Sequence, residues 1–419
     1  MADEFQEKAF MLGTVFKPTA PINREDLFAG RKSQIRDVVD AINQQGQHAV
    51  LYGERGVGKT SLANMLVPKL RAPDADVIAP LVNCMTADTY SNVWKRVFEE
   101  IAFKAETESN GGVLEKPEKR LLKEYLGSYS DNISPDIVRR LLHGLGQKDI
   151  VVVILDEFDK LSDPDARAMM SDTLKFFSDR VVPATIVLVG VADDVETLIA
   201  NHRSLERCLR QIRMPRMSDK ELETIVTQGL TKTGMTIQEK ALDEIWRLSR
   251  GLPHYAHLLG LVAGRAALDK RLLCVGEEHV QSAVREAIDK AQASIQSDYS
   301  DAITSSRKEA RYKEVLLACA LTETSDLGWF YPGDVRGPLE RILKREYKIE
   351  AFARHLHAFC ESARGPVLVK DNKSARPRFR FENPLMEPYV LIRGLAENLI
   401  TASDLESLKR RTPPKGHLF

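Results

Sequence analysis

The sequence predicts an α/β chain: a doubly wound parallel sheet, then an all-helical stretch, then a small helical unit closed by a hairpin. Three observations carry this. Between residues 31 and 217, short β-branched runs alternate with helical periodicity, the order of a parallel sheet. Residues 218–293 show helical periodicity alone. After 294, three helical stretches precede two short alternating runs, the order of a winged helix-turn-helix.

Residues 1–30 read as an arm. Pro18, Thr19, Pro21 and Asn23 break any helix, and Phe16, Ile22, Leu27 and Phe28 ask for burial. Strands are expected at 48–52, 77–83, 150–155, 184–190 and 211–215, separated by helices such as 31–44, 60–70 and 165–179. The strands are apolar throughout, which suits a sheet covered on both faces. Residues 106–132, with Asn110-Gly111-Gly112, read as a surface excursion. Ser218 followed by Glu221 is a capping-box start for the helical stretch 218–293. The unit 294–402 holds helical stretches near 307–321, 335–346 and 350–363. Runs 366–370 and 376–381 follow, joined by the turn 371–375, with a last helix over 385–400. Residues 403–419 are a tail.

The 419 residues balance 60 Lys+Arg against 60 Asp+Glu, which excludes a uniformly basic nucleic-acid coat and an acidic tail protein. No apolar run approaches the ~20 residues of a membrane helix, and MADEFQEKAF has no secretion signal. The five cysteines never fall in C-x-x-C spacing and the nine histidines form no ligand cluster. Buried thiols in a reducing cytoplasm are expected, with no membrane contact.

One motif carries chemistry. Gly53-Glu54-Arg55-Gly56-Val57-Gly58-Lys59-Thr60 matches G-x-x-x-x-G-K-[ST], with a strand before it and a helix from Ser61 after it. Such a loop turns backbone N–H groups around a phosphate at a helix N-terminus. Lys59 would reach the β- and γ-phosphates of ATP or ADP, and the Thr60 hydroxyl would sit on Mg²⁺. The expected partner is the strand 150–155 running into Asp156 and Glu157, 97 residues after Lys59. Asp156 would hold Mg²⁺ through water, and Glu157 would polarise the attacking water as general base. Without the loop, the same pair reads as a helix N-cap after a core strand.

The order of phosphate loop, Asp-Glu strand, further strand, Arg-rich helix, helical lid and winged helix resembles AAA+ ATPases. It is similar to their origin-recognition initiator branch and to the neighbouring STAND signalling ATPases, over roughly residues 14–400. The resemblance implies a polar sensor after the strand 184–190, where Asp193 falls; loop capping is the alternative. It implies an arginine finger acting on a neighbouring subunit, with Arg207 the first choice and Arg203 the second. A solvated basic helix face explains either one equally. In Arg250-Gly251-Leu252-Pro253-His254, His254 stands where initiators carry an arginine sensor. Gly-Leu-Pro resembles the G-x-P of STAND ATPases, whose proline packs near adenine; Pro253 also suits a first helical position. The arm would line the adenine pocket through Phe16, Pro21, Ile22 and Phe28, with Arg31 opening the first helix.

Residues 301–419 carry 21 Lys+Arg against 16 Asp+Glu, so the first 300 carry the opposite imbalance. Arg376, Arg378 and Arg380 would share one strand face, with Lys370 and Lys373 beside the turn. Such a wing could track the backbone of duplex DNA. Base reading would fall to Arg354, His355 and His357 alone. A basic hairpin can equally dock on a protein partner or on the ATPase core. Two functions follow. One is an initiator-like ATPase that engages DNA and assembles as a homo-oligomer through Arg207. The other is a STAND-like signalling switch, for example in bacterial defence or regulation, whose winged helix docks on a partner or effector.

Overall fold

The computed structural model describes residues 4–22, 28–70, 75–107 (102–107 by backbone alone), 132–193, 195–199, 205–305, 310–371 and 376–408. At its centre lies a parallel sheet in the order β2-β4-β5-β1-β6. The strands are β1 (His48–Gly53), β2 (Val77–Ile78), β4 (Ile150–Asp156), β5 (Ala184–Val191) and β6 (Leu209–Arg213), and β3 (Leu81–Asn83) continues along β4 beyond β2. The expected strand 77–83 is thus broken at Ala79 and Pro80. Pro80 has no N–H for the ladder, although its carbonyl still accepts from Ile154 N at 2.9 Å. The last strand is also shifted, to 209–213.

Side chains alternate along β4. Val152 and Ile154 enter one apolar core with Ala49, Leu51 and Leu62, while Val151, Val153 and Leu155 enter another with Trp94, Phe98 and Phe177. That is the two-sided burial the apolar runs demand. The covering helices are α2 (Lys32–Asn43) and α3 (Lys59–Leu66) on the first face, and α4 (Tyr90–Thr107), α5 (Pro135–Leu145) and α6 (Pro164–Asp179) on the second. Because β1 sits between β5 and β6, the strand order reverses at its carboxyl end, where sheets of this kind take their ligands.

The helical layer comprises α7 (Asp219–Lys232), α8 (Glu239–Ser249), α9 (Pro253–Asp269) and α10 (Glu277–Asp289). The Ser218–Glu221 capping box opens α7. The layer is not helical alone: β7 (Thr236–Ile237) and β8 (Cys274–Val275) pair in parallel, tying the exits of α7 and α9 together. Nor is the arm irregular throughout. Its first half is α1 (Glu4–Val15), which buries Leu12 and Val15 and packs on α9, so tertiary burial fixes a helix ahead of the proline breaks.

The C-terminal elements are α11 (Ala293–Ile303), α12 (Tyr312–Ala320), α13 (Pro332–Leu343), α14 (Ile349–Ala358), β9 (Leu368–Asp371), β10 (Arg378–Phe381), α15 (Met386–Ala396) and α16 (Ala402–Glu406). β9 and β10 form an antiparallel hairpin with Phe379 and Phe381 buried. His355 is no polar reader: it is buried on Tyr312 with ring centroids 4.7 Å apart. His357 meets Phe379 edge-on. Cys84, Cys208 and Cys319 are buried as expected, whereas Cys274 is exposed. Among the described residues no helix is long and apolar enough to cross a membrane.

Candidate functional site

β1 ends at Gly53, where φ is +155° and a Cβ would lie 2.3 Å from the Met214 carbonyl oxygen, so only glycine fits. The loop then turns into α3, whose first residue is Lys59. Lys59 is buried, and its Nζ donates to Gly53 O at 3.0 Å and Glu54 O at 2.8 Å. Burial lowers its pKa to about 8, against the opposing pull of Asp159, Asp156 and Glu54. A cavity of about 360 Å³ opens over this turn, walled here by Arg55, Gly56, Gly58, Lys59, Thr60 and Ser61. Three residues of the loop do not line it. Gly53 belongs to the strand, Val57 is buried in the apolar core, and Glu54 points to an arginine.

Asp156 and Glu157 reach the same cavity from the end of β4. Burial raises the Asp156 carboxyl pKa, opposed by hydrogen bonds from the Thr60 hydroxyl and the Glu157 N–H, the latter at 2.8 Å. Thr60 and Asp156 therefore place two hard oxygen donors together. That donor set fits Mg²⁺, which takes one or two protein oxygens and completes its shell with phosphate and water. Glu157 adopts a left-handed φ of 54°, rare for a side chain of this size, and its Oε2 accepts from Lys160 Nζ at 2.7 Å. A third carboxylate was not foreseen. Asp159 lines the cavity and its Oδ1 accepts from Val191 N at 2.7 Å, fastening the β4 exit to the end of β5.

The far end of the cavity is formed by the arm and the first turns of α9. Pro18, Pro21 and Ile22 of the arm and Pro253, His254 and His257 of α9 line it together. Ile22 N donates to Ser61 Oγ at 3.1 Å, and His254 Nδ1 to Pro18 O at 2.6 Å, so the arm is fastened to both walls. Two expected wall residues are elsewhere. Phe16 lies behind His257, edge-on at 5.9 Å, and Phe28 packs half-buried against the sheet core.

Four charged side chains meet beside the loop, Glu54 and Arg250 from the quoted motifs and Arg216 and Glu387, which no spacing pattern marked. Arg216, three residues beyond β6, donates through Nε to Glu54 at 2.6 Å and through Nη1 to Glu387 of α15 at 2.5 Å. Arg250, which ends α8, donates to the other Glu387 oxygen at 2.5 Å and to Thr322 O at 2.7 Å. All four are buried. Burial alone would lower the Arg216 pKa; its two carboxylates outweigh that and raise it. Glu54 and Glu387 stand 162 and 171 residues from Arg216, so only folding brings them together. Leu385, just ahead of α15, completes the cavity wall 3.5 Å from where a Gly56 Cβ would be.

Two of the hairpin arginines are engaged within the chain. Arg380 forms an ion pair with Asp193 beyond β5, and Arg378 pairs with Asp371 across the hairpin at 2.7 Å. Both guanidinium groups lie over the Trp329 ring, at 4.7 and 4.5 Å. Arg376 is exposed, Lys370 is half-buried, and Lys373 lies outside the described residues. Arg207 is exposed in the turn before β6; Arg203 lies outside the described residues.

The family description that matches is novel STAND NTPase 1, over residues 21–322. An ORC1-type DNA replication protein of Thermoplasma volcanium is 27% identical over 216 residues, 49% of this chain and 48% of that protein, so the chain spans about half the length of this relative. Among solved structures, the Walker-type ATPase of Pyrococcus abyssi superposes with a TM-score of 0.53, covering 90% of this chain and 99% of that one at 16% identity. The ORC2 protein of Aeropyrum pernix, in ADPNP and ADP complexes, gives 0.49 over 94% and 97% at 17% identity. The Pyrococcus structure supports the fold, and the resemblance to AAA+ ATPases of the initiator and STAND branches holds.

Proposed function

Because the chain belongs to the novel STAND NTPase 1 family, we propose that it is an ATP-binding and hydrolysing switch whose C-terminal elements are latched to the phosphate loop until nucleotide exchange frees them. The observation that carries this is the buried cluster Glu54–Arg216–Glu387–Arg250. It links the phosphate loop, the sheet exit, the helical layer and α15 through one set of ion pairs. A shift of the loop on nucleotide binding disturbs Glu54 first, and α15 feels it through Arg216.

In this reading, the backbone N–H groups of Gly56–Thr60 and the α3 N-terminus bind the phosphates, with Lys59 donating to the terminal ones. Thr60 and Asp156 would hold a magnesium ion, which supplies positive charge beside the phosphates when bound. Glu157 takes a proton from the attacking water, while its Oε2 accepts from Lys160 Nζ. Arg207, exposed in the turn before β6, is read as the finger that acts on a neighbouring subunit's nucleotide in a homo-oligomer.

The hairpin is read as a docking element. Arg378 and Arg380 are held by Asp371, Asp193 and Trp329, so two of the cations expected to track DNA are engaged within the chain itself, while Arg376 is exposed. A protein partner or effector that binds the released hairpin is the better match.

Release of a fluorescent ADP tests the latch. Glu387→Gln, checked for native circular dichroism, should release ADP at least tenfold faster than wild type. An unchanged rate rules the latch out. Duplex DNA at low salt should leave the wild-type rate unaltered; stimulation by DNA would restore the initiator-like reading.

A further inference from the structure

The phosphate end of the cavity is fixed by Lys59, Thr60 and Asp156. The opposite end is a slot between Pro18, Pro21 and Ile22 on the arm and Pro253, His254 and His257 on α9. Its apolar lining is interrupted by the imidazoles on the α9 side, by Lys17 and Thr19 on the arm, and by Gln292. This is where the base of a bound nucleotide belongs.

The two histidines are in defined states. A carbonyl oxygen only accepts, so the 2.6 Å contact between His254 Nδ1 and Pro18 O puts the proton on Nδ1. Burial lowers the pKa of His254 and takes that of His257 to about 4, so both rings are neutral near pH 7. A neutral His254 with Nδ1–H has a bare lone pair on Nε2. That is the nitrogen left for the cavity. His257 is 6% exposed and its buried Nδ1 has no partner, an arrangement that costs free energy unless a ligand supplies one.

We infer that His254 is the base-reading residue: its Nε2, kept a pure acceptor by the arm carbonyl of Pro18, selects purines that carry a 6-amino donor over those that carry a 6-oxo group. His257 offers the second polar contact to the same base. An adenine presents N6–H to Nε2. A guanine or hypoxanthine presents O6, so two acceptors face each other and no hydrogen bond forms between them. The arm contributes by fixing a tautomer, a role that no apolar wall could fill. The inference rests on the cavity being a nucleotide site, and the experiment separates the two.

The full chain is titrated calorimetrically with ADP, GDP and IDP, diphosphates that avoid turnover. IDP shares the 6-oxo group with GDP and lacks its 2-amino group, so it isolates position 6. Wild type should bind ADP at least tenfold more tightly than IDP or GDP. His254→Asn keeps an N–H near the Nδ1 position for Pro18 and lacks Nε2. It should retain the melting temperature and lose most of the ADP-over-IDP preference. His254→Gln, whose amide oxygen reaches toward the Nε2 position, should recover part of it. Equal wild-type affinity for ADP and IDP overturns the inference while leaving the nucleotide site intact. So does a preference that His254→Asn preserves. If Lys59→Ala leaves ADP binding unchanged, or wild type binds none of the three, the nucleotide reading fails and takes this inference with it.

Discussion

Arg380, on the second strand of the C-terminal hairpin, is ion-paired with Asp193, two residues past the strand that borders the cavity. The pair is about three-quarters shielded from water and has Trp329 over its cationic half. If it helps hold the hairpin down, its two members act as one. Asp193→Ala and Arg380→Ala should each speed ADP release about fivefold, the size of a ~1 kcal/mol partly buried pair. The double variant should be no faster than either single one. Additive effects would mean the two residues act separately.

The buried cluster around Arg216 should be far more sensitive. Arg216→Ala leaves Glu54 and Glu387 without their shared partner in a dry site, and removing one member of such a set costs about 3–5 kcal/mol. Urea unfolding measures it. A loss under ~1 kcal/mol would show that water reaches the site.

Lys59 predicts a pH dependence of nucleotide affinity. Its pKa is lowered to about 8, so the charge that meets phosphate is largely present at pH 7.5 and mostly lost by pH 9. ADP affinity should fall about tenfold over that interval. Calorimetry at the two values decides, and a flat profile means that Lys59 stays charged.

His48 predicts a pH dependence of stability. It is wholly buried in β1, accepting from Ile186 N at 3.1 Å through Nδ1 and meeting Leu174 O at 3.2 Å through Nε2, so only the neutral ring fits. Burial holds its folded pKa at about 4, below the unfolded value near 6.5. The unfolded chain therefore binds the extra proton between those values. The stability His48 contributes is complete above pH 6.5 and is lost as pH falls toward 4, by up to about 3 kcal/mol. Glu244 works the other way, since burial raises its pKa to about 7 and its charging weakens the fold as pH rises. The comparison is therefore between wild type and His48→Gln: the variant should be less stable at pH 7.5 and lose less on going to pH 5.

Glu157→Gln should retain ADP and ATP affinity within about threefold and lose at least a hundredfold in turnover, as removal of a general base does. Steady-state phosphate release measures it. Persisting turnover would move the base role to Asp159, which lines the same cavity.

The sheet and the phosphate loop were legible because both are local. Residues 150–155 declare a strand buried on two faces by being uniformly apolar, and the loop glycines are set locally, Gly53 by lack of space and Gly56 and Gly58 by positive φ. The capping box at Ser218 reads equally well, since its two bonds span three residues. What stayed hidden depends on distance in sequence. Helix α1 carries no strong pattern of its own and is set by burial on α9. Arg216, Glu387 and Asp159 are ordinary surface residue types until folding places them. Arg378 and Arg380 show the converse. Their alternation with Phe379 predicted the hairpin faces, but not that Asp193 and Trp329 would occupy the charged one.

Glu387 also limits how the chain can be divided. It alone, among the described side chains of the C-terminal elements, neutralises Arg216 and Arg250, and Leu385 beside it walls the cavity. A cut or fusion near residue 305 would leave one fragment with two buried guanidinium groups facing a single carboxylate, and the other with an exposed carboxylate in an apolar helix. Sheet and C-terminal elements therefore cannot be exchanged as independent modules between relatives unless Glu54, Arg216, Arg250 and Glu387 travel as a set.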